Sequence, residues 1–167
     1  MFTSLSAFLQ TWVQQSGSTQ RILDALTDSS LGQKVTDQDR TLGRIAWHII
    51  TTIPEMMSKT GLVFETVHED APVPTSAKEI ADQYRQASSA MVNAIKNEWT
   101  DDTLSEERDM YGERWTIGTT LNVLIYHEIH HRGQITILMR QAGLKVPGID
   151  GPSREEWVQY GMEPPKV

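Results

Sequence analysis

The chain contains no cysteine. That excludes disulfides, thiolate metal sites, iron–sulfur clusters and a cysteine nucleophile, and it fits a reducing compartment, so a cytoplasmic location is expected. No apolar run approaches the roughly 20 residues that a membrane-spanning helix needs. Met1 to Thr11 shows neither the basic start nor the long apolar core of a secretory signal, and no membrane association is expected. An excess of positive charge is also missing: 15 Lys and Arg face 22 Asp and Glu, for a net charge of -7. Surfaces that track phosphates show the opposite balance, so nucleic acid is not an expected partner. There is no Gly-rich phosphate loop and no G-x-S-x-G elbow, and the Ser, His and Asp residues show no diagnostic spacing. Internal repeats and low-complexity segments are absent too. What remains is 167 residues, a length that favours one domain over 1–167 and can bury about 70% of the unfolded surface.

Apolar residues recur at helical spacing in four stretches. The first spans about Thr3 to Leu26, with Leu5, Phe8, Leu9, Trp12 and Val13 followed by Ile22, Leu23 and Leu26, and a weak interruption at Ser16-Gly17-Ser18. The second is expected to start near Asp37 as N-cap and to carry Leu42, Ile45, Ile49, Ile53 and Met56. Pro54 should remove one backbone hydrogen bond within it, and Gly61 should stop it. The third begins near Ser76, with Glu79 as a capping-box partner, and buries Ile80, Tyr84, Ala87, Met91 and Ile95. The fourth runs from about Ile117 to Ala142, with Gly143 at its end. Between the third and fourth lies a long polar connection, Asp101 to Arg114, read as irregular with short helical turns. A Pro- and Gly-rich tail follows Val146, with a short helix expected from Ser153 to Tyr160. With no credible strand pattern, the fold class is all-α, a four-helix bundle.

Most of the histidines crowd into one window of the fourth helix: His127, His130 and His131. On a helix His127 and His131 lie about 40° apart, one turn from each other, on the side that carries Leu124 and Leu138. Two imidazoles so placed can hold one metal ion, as in H-E-x-x-H sites. A catalytic zinc site usually has three protein ligands and one open position, and His48, in the middle of the second helix, is the third candidate. His68 sits in a polar loop and reads as solvated. His130, about 100° from His131, reads as a packing neighbour of the site. Glu128 is a weak candidate for a catalytic base; its ordinary role would be partner to Arg132, four residues on. Three neutral imidazoles suit zinc, nickel, copper or iron by ligand type, with zinc and nickel the leading expectations. A metal lowers the pKa of bound water and deprotonates a coordinating thiol, so either could be the nucleophile.

These motifs resemble a known family. His127-x-x-His130-His131-Arg132-Gly133-Gln134, then Arg140-Gln141-Ala142-Gly143-Leu144, Val146-Pro147-Gly148-Ile149 and Gly151-Pro152-Ser153, with the isolated His48 upstream, are similar to the DinB-like (DinB/YfiT) superfamily over nearly the whole length. The resemblance implies an up-down-down-up four-helix bundle with a long connection between the third and fourth helices, a homodimer, and a three-histidine site at His48, His127 and His131, with His130 outside the ligand set. Relatives include thiol-dependent transferases and isomerases. The expected function is therefore a metal-dependent enzyme that activates a low-molecular-weight thiol, or water, for transfer to a small electrophile. A metal-dependent hydrolase and a non-catalytic, damage-inducible metal-binding protein are the alternatives, because fold does not fix function. Trp12 and Trp115 are candidate contributors to a dimer contact.

Overall fold

The computed structural model describes residues 1–68 and 70–166; Glu69 and Val167 lie outside it. Four helices dominate: α1 (Leu5–Asp24), α2 (Leu42–Thr60), α3 (Ala77–Glu98) and α4 (Ile117–Gln141). Each begins at a hydroxyl N-cap. The side chains of Ser4, Thr41, Ser76 and Thr116 accept from the backbone N–H groups of Ala7, Arg44, Glu79 and Thr119, satisfying donors that a helix start leaves open. The helix stops at Gly61 and Gly143 are as expected, with φ of 91° and 76°, a conformation glycine adopts without a Cβ penalty. α1 runs straight through Ser16-Gly17-Ser18, and α2 runs through Pro54.

Around the bundle, α1 and α2 each pack against both α3 and α4. The α2–α3 connection, residues 61–76, can span about 50 Å if extended, while α2 is about 28 Å long. The chain can therefore return to the end where α2 began, as an up-down-down-up bundle requires. Val13 of the first predicted stripe faces solvent, but most of the stripes predicted from periodicity form one core, with Phe8, Trp12, Ile22, Ile53, Tyr84 and Leu121 all no more than 1% exposed. Each such side chain contributes roughly 1.5–3 kcal/mol by leaving water.

Three expectations need correction. α2 starts at Leu42, not near Asp37. The Asp39 carboxylate accepts from the backbone N–H and hydroxyl of Thr36 at 3.0 and 2.7 Å, closing a turn that competes with helix. This segment is pinned to the start of α2 by Leu42 N–H to Gln33 O and Gly43 N–H to Leu31 O, at 2.7 and 2.9 Å.

The 3–4 connection is not purely irregular. It holds a 3-10 turn (Asp102–Ser105) and an antiparallel hairpin, β1 (Glu107–Met110) with β2 (Glu113–Thr116). Its two-residue turn, Tyr111-Gly112, has positive φ at both positions, 60° and 86°, the primed geometry that suits strand twist. The strand sequences are dominated by charge, so the apolar–polar alternation that marks a half-buried strand is absent, even though Arg108 and Met110 turn inward. Tertiary contacts hold the hairpin instead: Arg108 Nε donates to Thr60 O at 3.1 Å, and the Tyr111 hydroxyl donates to Glu55 Oε2 at 2.8 Å.

Among its described residues the tail forms one 3-10 turn, Trp157–Tyr160, in place of the expected helix. Half of the expected capping box is present. The Glu156 carboxylate accepts from the Ser153 and Gly148 N–H groups, at 3.0 and 2.9 Å, while the Ser153 hydroxyl is buried without a partner.

Candidate metal centre

α4 contributes two of the three histidines. Their i, i+4 spacing places His127 and His131 with ring centroids 4.4 Å apart, and the two Nε2 atoms 3.1 Å apart. His48 comes from the facing helix α2, with its ring 5.0 Å from His127 and 4.8 Å from His131. One nitrogen from each of the three lies within 4.8 Å of the others. The structure thus brings together the three residues singled out in the sequence. His131 is 9% exposed; His48 and His127 are half-buried. His68 is exposed in its loop beside Asp70. His130 is exposed, its ring edge-on to His131 at 4.9 Å.

Electrostatics keep the triad neutral. Burial, followed by the proximity of His131, lowers the His48 pKa to about 4, and burial followed by His131 and His48 does the same for His127. His131 is lowered as well, chiefly by burial. Metal ligation needs neutral imidazoles. Tautomer is also directed: Gln134 Oε1 lies 2.7 Å from His131 Nδ1, and since a carboxamide oxygen only accepts, Nδ1 carries the proton and Nε2 presents its lone pair. Thr52 Oγ1 makes a longer contact, 3.5 Å, to His48 Nδ1.

The donor set fits a divalent ion. With metal–nitrogen bonds of about 2.0–2.1 Å, two ligand nitrogens sit about 2.9 Å apart in octahedral and about 3.3 Å apart in tetrahedral coordination. The 3.1 Å between the α4 nitrogens falls between these. His48, with a ring nitrogen within 4.8 Å of both, would be the third ligand.

Glu128 is placed differently. Its side chain is 1% exposed, and it faces α1 and α3 while the triad faces α2. Oε1 accepts from the Thr19 and Tyr84 hydroxyls at 2.7 and 2.9 Å, and Oε2 is buried without a partner. Burial raises its pKa, opposed by those two hydrogen bonds and by the Arg132 charge. Arg132 makes no direct ion pair with it among the described residues. The guanidinium donates to Gln15 O, Gln15 Oε1 and Thr19 Oγ1, at 3.0, 2.7 and 3.3 Å, so Thr19 bridges the two charges. This cluster ties one face of α4 to α1 and α3. It thereby fixes the rotation of the helix that aims His127 and His131 at α2.

Two residues at the centre escaped the sequence reading. Gln134 stands in the quoted run, and its i+3 spacing from His131 was a usable signal. Arg40 lies in the turn before α2, where no periodicity applies; its charge is felt by all three imidazoles.

Known proteins are similar to this chain in sequence or in fold. YrdA of Bacillus subtilis (strain 168), described as uncharacterized, is 52% identical over 167 residues, all of both chains. The crystal structure of a DinB-like protein from Bacillus cereus superposes with a TM-score of 0.87 at 51% identity, covering 89% of this chain and 99% of that one. A DinB-like protein from Bacillus subtilis, only 19% identical, shares the fold with a TM-score of 0.64 over 82% of this chain and 92% of its own. The model of the DinB family matches residues 1–165, and the chain belongs to the DinB family.

Proposed function

We propose that this protein is a metal-dependent enzyme in which His48, His127 and His131 hold a divalent ion, zinc or nickel foremost, and a low-molecular-weight thiol or water is activated for transfer to a small electrophile. The observation that carries this reading is the convergence of three imidazole nitrogens of lowered basicity beside an open cavity. When bound, the metal supplies the positive charge that lets a thiol or water ionise near neutral pH. The chain's own residues do the rest. Gln134 holds the His131 proton on Nδ1, α2 and α4 hold the rings in place, and the cavity beside His131 leaves room for a second reactant. That room supports an enzyme over a closed storage site.

The test is elemental analysis of freshly purified protein beside His48→Ala, His127→Ala and His131→Ala. Each variant should lose the ion, and full occupancy in all three would overturn the site. Thiol-conjugation assays on zinc- and nickel-loaded protein follow. Turnover of esters or amides without thiol would replace this reading with a hydrolase.

We further propose a homodimer in the cytoplasm acting on a small molecule, with neither nucleic acid nor membrane as partner. No helix among the described residues is long and apolar enough to cross a membrane. Trp12 is 1% exposed and donates to Ser88 Oγ at 2.9 Å inside the bundle, which removes it from any dimer contact. A monomer mass by light scattering would reject the dimer.

A further inference from the structure

A cavity of about 460 Å³ opens beside the triad, with His131 and Gln134 in its lining. Its base is apolar and buried: Ile45 and Leu138 are 7% and 3% exposed. Its rim pairs two aliphatic side chains left in water, Val35 and Ile137 at 64% and 60% exposure, with the exposed charges of Arg40 and Asp39. These two charges form no ion pair with each other among the described residues. Asp39 Oδ2 is held by Thr36, and Arg40 has no carboxylate partner among the described residues.

An unpaired guanidinium here works against the proposed chemistry of the triad. Its positive charge disfavours a divalent cation nearby. That repulsion disappears when an anionic group enters with the ligand. Guanidinium binds carboxylate through paired N–H donors, and the aliphatic rim and base around it match an apolar body.

We propose that this cavity takes an amphipathic carboxylate, a ligand with a short aliphatic body against Ile45, Ile137 and Leu138 and its carboxylate on Arg40, which makes Arg40 a specificity residue. The inference rests on the proposed function only for what reacts at the triad; recognition of the carboxylate needs no metal.

Nuclear magnetic resonance titration of the full chain tests it, with hexanoate as probe, acetate as the control without a body and hexylammonium as the control of opposite charge. In metal-free protein, hexanoate should shift the backbone amides of Gln134, Ile137 and Leu138, and acetate should bind at least about tenfold more weakly. Arg40→Gln should weaken hexanoate about tenfold or more, and Arg40→Lys by less. Arg40 is exposed, so unchanged spectra elsewhere verify that the variants fold. Absence of hexanoate binding, equal binding to Arg40→Gln, or hexylammonium binding as tightly would each overturn the proposal. Failures separate cleanly. Arg40-dependent binding in a protein that takes up no zinc retains this inference and removes the metal reading. Zinc uptake with hexanoate binding indifferent to Arg40 does the reverse.

Discussion

Replacing Glu128 by Gln should leave the protein about as stable at pH 4.5 and make it the more stable of the two at pH 8. In the wild type, Oε1 accepts from Thr19 and Tyr84, and Oε2 has no donor. The carboxylate is thus desolvated with half of its oxygens unanswered, an arrangement that costs about 1–3 kcal/mol per unsatisfied polar atom and more when charged. Burial accordingly raises its pKa above the unfolded value. The folded state then holds this proton more tightly than the unfolded state. Its contribution is complete below the unfolded pKa and is lost as pH rises through the folded one. A glutamine amide copies the protonated acid: its oxygen accepts from both hydroxyls, and its NH₂ replaces the acid O–H. At pH 4.5 the two should differ by no more than about 1 kcal/mol. Above that the difference should move in favour of Gln by about 1–3 kcal/mol, reduced by the lost attraction to Arg132. Glu128→Ala leaves both hydroxyls without an acceptor and should cost about 1–3 kcal/mol for each. Urea denaturation of metal-free protein across this pH range measures all three, and titrations common to the variants cancel in the differences. If the wild type gained on Glu128→Gln as pH rose, Glu128 would be an ionised partner of Arg132 with a depressed pKa, and the reasoning would fail.

Further outcomes concern the triad and its supports. In metal-free protein, His48 and His127 have folded pKa values of about 4, against an ordinary 6.5. The unfolded state therefore binds more protons between these values, and stability present above pH 6.5 is lost as pH falls towards 4. Both rings are half-exposed, so solvent screening limits the combined loss to the order of 2 kcal/mol, readable by denaturation at pH 7 and 4.5 once other acid-titrating groups are matched in a His48→Ala/His127→Ala variant. Gln134→Ala should weaken zinc binding by about 10–100-fold, measured by competition with a chromophoric chelator, while leaving stability of the metal-free form within about 1 kcal/mol. Gly118→Ala would set its Cβ 2.0 Å from Phe2 O and should cost about 1–3 kcal/mol by displacing the N-terminal segment. Gly133→Ala, with nothing within 4 Å, should stabilise α4 by about 0.5–1 kcal/mol; thermal unfolding of the pair compares crowding with propensity on one helix.

Helices and triad were legible because each rests on a local period. Caps such as Ser76 and stops such as Gly61 and Gly143 act within one turn, and core stripes repeat every 3.6 residues. His48 joins the other two because it flanks an apolar stripe on a facing helix. The hairpin left no such trace. Glu-Arg-Asp-Met and Glu-Arg-Trp-Thr do not alternate, and what holds them, Arg108 on Thr60 and Tyr111 on Glu55, depends on residues some fifty positions away. The start of α2 was misplaced for a similar reason, since Asp39 satisfies a turn that periodicity does not register.

The run His127-Glu128-Ile129-His130-His131-Arg132 interleaves two devices that the linear sequence shows as one. At 100° per residue, each member of the 127/131 pair lies one step from its counterpart in the 128/132 pair, so the pairs point to adjacent but different neighbours. His127 and His131 look to α2. Glu128 and Arg132 look to α1 and α3, where Thr19, Tyr84 and Gln15 receive them. Turning α4 by one residue in one sense would bury imidazoles where hydroxyls now await a carboxylate, and in the other sense would present a carboxylate and a guanidinium to His48. The buried polar cluster therefore does more than fill the core. By penalising every other rotation of α4, it sets the direction in which the three imidazole lone pairs converge.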